Sequence, residues 1–383
     1  MATVNLWAKD GYMSTPDGNS IYFWGFTGDA NRPAQLPGPR IVITQGQEVT
    51  VNLTNTLAKP VSIVFPGQRG VLAGGQPVQP QYDAERLVSF ADYAPPNGGT
   101  VTYTFTAEHP GTYIYESGTY PYRQVPMGLY GGLVVRPADF DADTNKTAYG
   151  AGTDTGFDRE YLLITGEIDP KLHRAVEQGK ACSAGGYRPR YWTVNGRCAP
   201  DTMMKDSVPY LPRQPYGSMI MAERGERVLI RYIGAGVQTH PLHPHGNHTR
   251  VIAVDGRLLR NGEHDRSYNR FTVLVEPGRT YDQIFRWDGL GYSEQNPIPT
   301  ILPNLRNMGI GDAGWTLWSG SPYLGQKGDI PVGVVSHNEL GEYYFMLHSH
   351  AEPQITNWGE FPGGMMSMIA VYPSLSPVVG TLP

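Results

Sequence analysis

Short runs of alternating apolar and polar residues, broken every few positions by glycine or proline, make up most of this chain. Residues 41–55, Ile-Val-Ile-Thr-Gln-Gly-Gln-Glu-Val-Thr-Val-Asn-Leu-Thr-Asn, read as two strands around a Gly-Gln turn, because a period of two places one side-chain set on each face of a pleated ribbon. Residues 219–233, Met-Ile-Met-Ala-Glu-Arg-Gly-Glu-Arg-Val-Leu-Ile-Arg-Tyr-Ile, repeat that shape. The offset is far larger than a solenoid period, so the repeat marks a duplicated domain. Both halves then continue in parallel. A motif-bearing strand (62–67; 240–246) precedes a strand after a turn signal (97–105; 276–285), and each half closes on a Gly-Thr-Tyr or Gly-Glu-Tyr strand, a loop and a final apolar strand (111–135; 341–372). The expectation is an all-β chain of two Greek-key sandwiches, 1–137 and 159–383, joined by an Asp-, Thr- and Gly-rich linker at 138–158. Two insertions lengthen the second half: 182–198, and 288–337 with Trp315 and Trp318.

Composition narrows the partners. Gly 47 and Pro 33 are scattered as turn punctuation rather than gathered in a block, which suits many short strands. A net charge of -5 with no long basic stripe excludes a polyphosphate-tracking surface, so no nucleic acid is expected. The longest apolar stretches, 132–135 and 366–371, fall far short of the roughly 20 residues of a membrane span. The opening Met-Ala-Thr-Val-Asn-Leu-Trp has neither a basic nor an apolar export region, so no signal peptide is expected in this sequence. Cys182 and Cys198 fall in one Gly/Pro/Arg-rich loop without a Cys-X-X-Cys pattern and are expected to form a disulfide, with a pair of free structural thiols as the alternative. A disulfide implies an extracytoplasmic setting: periplasmic, cell-surface or secreted.

The chemistry lies in histidine. His240, His243, His245 and His248 crowd into His-Pro-Leu-His-Pro-His-Gly-Asn-His, and His348 and His350 form Leu-His-Ser-His. Strand residues two apart share a face, so His243 with His245, and His348 with His350, each present two imidazoles side by side. Clustered neutral imidazole with few carboxylates suits copper, with zinc or iron as alternatives, and argues against calcium or magnesium. His109, His173, His264 and His337 have no histidine partner in sequence and read as structural.

These motifs resemble the multicopper oxidases, along both halves. The family's last-domain strand His-Pro-X-His-X-His-Gly is matched by His240-Pro241-Leu242-His243-Pro244-His245-Gly246. Its later His-Cys-His, three residues, His and a Gly-Met pair correspond to His348-Ser349-His350, Gln354 and Gly364-Met365. In the first domain the family's Thr-Ser-Ile-His-Trp-His-Gly and Tyr-His-Ser-His correspond to Val61-Ser62-Ile63-Val64-Phe65-Pro66-Gly67 and Tyr115-Glu116-Ser117-Gly118, followed by Gln124, Gly128-Leu129 and Gly131. The resemblance implies two cupredoxin-like sandwiches, copper, oxidoreductase activity and, as in two-domain relatives, homo-oligomers such as trimers.

The departures alter that expectation. A blue-copper site needs a cysteine thiolate, and Ser349 stands there, with Gln354 at the second histidine position. Of that site His240 and Met365 remain. Val64, Pro66, Glu116 and Gly118 replace the four first-domain imidazoles of the oxygen-reducing cluster, so ordinary four-electron reduction of oxygen is not expected. The expected ligands are therefore His240, His243, His245, His348 and His350, with Glu116 and Met365 as additional candidates. A simpler reading of Glu116 is a solvated side chain or one paired with Arg123. The methionines at 203–204, 365–366 and 368 read as core filling rather than a soft-metal surface. The function expected is copper binding with weak or altered redox activity and an unidentified redox partner. The alternative is a scaffold or assembly protein without a catalytic metal.

Overall fold

The computed structural model describes residues 1–181, 184–288, 343–372, 380 and 382. Apart from Asp288, the insertion expected at 288–337 lies outside them, and so does Cys182. Its expected partner Cys198 is buried, where desolvation pushes the thiol pKa up.

The strands are β1 (Ala2–Ser14), β2 (Ser20–Thr27), β3 (Ile41–Thr44), β4 (Glu48–Asn55), β5 (Gly99–Thr106), β6 (Gly111–Glu116) and β7 (Tyr130–Arg136) in the first half. The second half has β8 (Arg159–Ile168), β9 (Tyr191–Val194), β10 (Ile220–Glu223), β11 (Arg227–Gly234), β12 (His240–Pro244), β13 (Thr249–Val254), β14 (Val273–Val275), β15 (Thr280–Arg286), β16 (Tyr343–Ser349) and β17 (Met366–Tyr372). A helix, α1 (Pro170–Glu177), follows β8 and is capped by Asp169, whose carboxylate accepts from the backbone N–H groups of Lys171 and Leu172.

The duplication read from sequence is a duplication of pairing. In the first half β2-β1-β4-β5 form one sheet and β6-β7-β3 the other. In the second half β9-β8-β11-β15-β13 and β10-β17-β16-β12-β14 take the same places. The parallel pairs β1 with β4 and β3 with β7 recur as β8 with β11 and β10 with β17. Even the turns agree: Gly46 and Gly225 adopt φ of +81° and +82°, a conformation open to glycine at little cost. The fold is all-β, as the alternation predicts.

One expected strand differs. Residues 62–67 make one isolated bridge, Val64 with Glu116, and Val61 just before them bridges Ala94, rather than forming a continuous ladder. Pro66 has no N–H to give and Gly67 turns the chain at φ +86°.

Apolar contacts join the halves, with Phe23, Ile114 and Val134 in one buried cluster with Leu162, Ile164 and Ile233. At the same junction lie four buried charges, two of each sign. Glu160 contacts Arg136 at 2.6 Å and Arg231 at 2.5 Å, and Arg231 reaches Asp282 at 2.9 Å. Thr112 of β6 donates to Asp282 at 2.5 Å, and Tyr149 donates to its other oxygen at 2.6 Å. Tyr149 belongs to the stretch 138–158 expected as a free linker. That stretch is docked instead: Ala148, Tyr149 and Phe157 are buried against Leu229, Ile252 and Ile284.

Removing one member of such a network strands the others without water or partner. Arg231→Leu is expected to lower the unfolding free energy by about 3–5 kcal/mol, whereas Thr112→Val should cost about 1 kcal/mol. Urea unfolding of both variants checks the order.

Candidate metal centre

Strands β12 and β16 pair antiparallel with Leu242 opposite Ser349, His243 opposite His348 and Pro244 opposite Leu347. The ladder extends past both ends, since the His245 N–H donates to Met346 O at 2.8 Å and the His350 N–H to Pro241 O at 2.8 Å. Period two then sorts the side chains. His243, His245, His348 and His350 share one face, and His240 and Ser349 share the other.

The four imidazoles form a compact group. Ring centroids are 5.0 Å apart for His243 and His245, 4.7 Å for His243 and His350, 5.2 Å for His245 and His348, and 5.1 Å for His348 and His350. The Nε2 atoms of His245 and His348 approach to 3.1 Å. Two nitrogens on one ion at a metal–nitrogen distance of about 2 Å stand roughly 3 Å apart, so this pair already has the spacing of two ligands. The rings meet edge to face, and among the described residues no three donor atoms converge on one centre. Desolvation is the main force on the protonation of His243, His245 and His348, and repulsion between like-charged rings adds to it. It lowers the pKa values of His243 and His348 and brings that of His245 down to about 4. At neutral pH these are neutral imidazoles, the form that ligates. His348 Nδ1 lies 2.9 Å from Ser349 O and donates to it, which leaves its Nε2 lone pair facing the group. His243 Nδ1 lies 2.9 Å from Thr272 Oγ1. The donor set fits copper.

His240 is not part of this group. Fully buried, its Nε2 lies 3.1 Å from Glu167 Oε2 and its Nδ1 3.0 Å from Gln354 Oε1. Gln354 Oε1 also accepts from Ser349 Oγ at 2.6 Å, while its amide donates to Thr239 O at 3.1 Å. Glu167 Oε1 accepts the backbone N–H groups of Val237 at 2.5 Å and Gln238 at 3.0 Å. Met365 is packed in the second-half core. The positions of a blue-copper ion's ligands are thus spent on one another, and these residues do not fit that ion. Glu167 and Thr272 were not anticipated. The only trace of Glu167 in the sequence is a carboxylate inside the apolar run Leu-Leu-Ile-Thr-Gly-Glu-Ile.

The first-half positions are closed as well. A Cβ at Gly118 would stand 2.7 Å from Val64 Cγ1 and 3.0 Å from Ser62 Oγ, and Ser62, Ser89 and Thr119 join their hydroxyls at 2.9–3.0 Å. Glu116 lies partly buried on this face with no hydrogen bond or ion pair to its carboxylate among the described residues, Arg123 included, and desolvation raises its pKa from 4.5 to about 7. His173 is buried between Tyr22 O and Pro126 O, and His109 and His264 are exposed, in keeping with structural roles.

Paired sandwiches with imidazoles across an inner strand pair define a cupredoxin-type protein. The Blue Copper Oxidase from Nitrosomonas europaea superposes with a TM-score of 0.62 at 21% identity, covering 96% of this chain and 85% of its own. A copper nitrite reductase from the same organism gives 0.60 at 20% identity, covering 100% and 97%. On sequence, the multicopper oxidase family model matches residues 30–139. Laccase-3 of Oryza sativa subsp. japonica is 25% identical over 260 residues, which are 66% of this chain and 39% of that protein. The L-ascorbate oxidase of Cucurbita pepo var. melopepo is 31% identical over 131 residues, 34% of this chain and 21% of that enzyme. In sequence the chain is thus similar to multicopper oxidases, with the family model confined to its first half. It spans less than half the length of either relative.

Two variants probe Glu116 and Glu167. Glu116 takes up a proton on folding anywhere between its unfolded pKa of 4.5 and its folded pKa of about 7, so wild-type stability falls as pH rises through that window and is level above it. Glu116→Gln is expected to match wild type below pH 4.5 and to exceed it above pH 7, by at most about 3 kcal/mol. Thermal unfolding across pH reads the difference. Glu167→Leu deprives two backbone N–H groups and an imidazole of their acceptor and should cost about 3 kcal/mol or more, seen as an earlier denaturation midpoint.

Proposed function

We propose that this chain is a copper-binding protein whose metal sits among His243, His245, His348 and His350, with no blue-copper site and with weak or altered oxidoreductase activity. The observation that carries the reading is the 3.1 Å approach of the His245 and His348 ring nitrogens within a group of four imidazoles. Bound copper would supply a one-electron redox centre and a Lewis acid. Around it the chain's own residues act as follows. Desolvation keeps His243, His245 and His348 in the neutral form, with one ring nitrogen of each free to ligate. The Ser349 carbonyl orients His348, and Thr272 orients His243. Ser349 offers a hydroxyl that stays protonated where a thiolate would be needed, so the usual port for electrons is missing.

Assembly into a homo-oligomer, a trimer or larger, belongs to the same proposal. Exposed aromatic residues border both halves of the former cluster: Phe90, whose N–H donates to Gly118 O, on one side, and Phe271, next to Thr272, on the other. These patches also favour the second reading, a scaffold built by self-assembly without a catalytic metal. An extracytoplasmic location, as expected from the cysteine pair, completes the proposal. No helix among the described residues is long and apolar enough to cross a membrane.

Elemental analysis of protein loaded with copper and then dialysed separates the two readings. About one copper per chain, without the intense colour of a copper–thiolate bond and lost in the double variant His243→Ala/His348→Ala, is the expected result. No retained copper in either protein, with an oligomer still present by sedimentation, would leave the scaffold reading.

A further inference from the structure

A cavity of about 710 Å³ opens in the second half beside Arg40 of the first, its wall reaching Tyr344 on β16, the strand that also carries His348. Its wall is unusual in composition. Met203, Met204, Met219 and Met221 line it together with Tyr161 and Tyr344. Behind them lies a second layer of thioethers, Met346, Met366 and Met368, packed with Met203 and Met219. Seven of the chain's 12 methionines therefore meet at one place, brought there by four separate stretches of chain.

Methionine is unbranched and polarizable. It fits itself to guests of varied outline and makes favourable contacts between sulfur and aromatic rings. The volume falls within the range of small-molecule sites, about 300–1,000 Å³, which combine an apolar wall with a few polar anchors. Two cations stand at this wall, Arg40 and Lys205. Arg40 is largely buried, and burial lowers its pKa by penalising the charge. Its guanidinium stacks on Tyr216 at 4.0 Å and meets Asp206, a half-exposed carboxylate, at 3.5 Å. That separation is longer than a tight charged hydrogen bond, so most of the donor fork is left for another anion. The acidic group deeper in the wall, Glu160, is already matched by Arg136 and Arg231. Lys205 has no acidic partner among the described residues.

We propose that this methionine-walled cavity binds a flat aromatic molecule bearing one anionic group, with the ring against the thioethers and tyrosines and the anion on Arg40. The site is independent of the copper-binding reading and holds whether or not metal is present.

Two fluorescent probes of similar shape test it on the full chain: anilinonaphthalene sulfonate, which carries the anion, and neutral phenylnaphthylamine. The sulfonate is expected to bind at one saturable site. Arg40→Gln should weaken it about tenfold, the equivalent of about 1.4 kcal/mol, and leave the neutral probe unchanged. Arg40→Lys should recover part of the loss. Met219→Trp, which fills the cavity, should abolish binding of both probes while the circular dichroism spectrum stays that of the parent. Sulfonate binding undiminished in Arg40→Gln and Met219→Trp would overturn the proposal. So would saturable binding of silver(I) to the methionines with no binding of either probe, which would assign the wall to a soft metal ion instead.

Discussion

Everything in this molecule hangs on four charges buried where its two halves meet. Glu160 lies between Arg136 and Arg231, and Arg231 lies between Glu160 and Asp282. A single ion pair held away from water would cost more than it returns, and two pairs sharing an arginine and closed by the hydroxyls of Thr112 and Tyr149 come nearer to balance. The gain is geometric. Arg136 ends β7 and Thr112 begins β6, while Glu160, Arg231 and Asp282 lie on β8, β11 and β15. One network thereby indexes a sheet of one half against a sheet of the other, where apolar contacts alone would allow sliding.

The two places that correspond to the family's ligand motifs show how buried polar groups find partners in this fold. A buried imidazole, hydroxyl or amide still needs a partner, and in the second half Glu167, His240, Gln354 and Ser349 supply one another in a chain of hydrogen bonds. In the first half Ser62, Ser89 and Thr119 do the same. Glu116 is the exception, a carboxylate for which the described residues provide no partner, and its raised pKa follows from that. On the four-histidine face the rings have one another for neighbours.

Alternation along the chain was enough to foresee both sheets' strands, the duplication and the shared face of His243 with His245 and of His348 with His350. His240 was expected as a ligand with them, yet an odd spacing within the strand turns it to the opposite face. The partner of His240 was not legible, because Glu167 lies 73 positions away and reaches it only through sheet packing. The docking of 138–158 was hidden for a similar reason. Its apolar residues are few, and Tyr149 is drawn in by a carboxylate 133 positions further on. The strand expected at 62–67 failed locally, where Pro66 and Gly67 break the ladder.

The order of strands in the second-half sheet has a consequence for how the molecule comes to exist. Strand β17, at residues 366–372, lies between β10 and β16 and is the neighbour that holds β16 on the side away from β12. Until those residues have left the ribosome, the segment bearing His348 and His350 has an open flank, and its pairing with His243 closes a loop of about a hundred residues. The imidazole group is therefore completed only after residues 366–372 are available to flank it. An ion that needs all four rings can be captured only once these distant strands have paired.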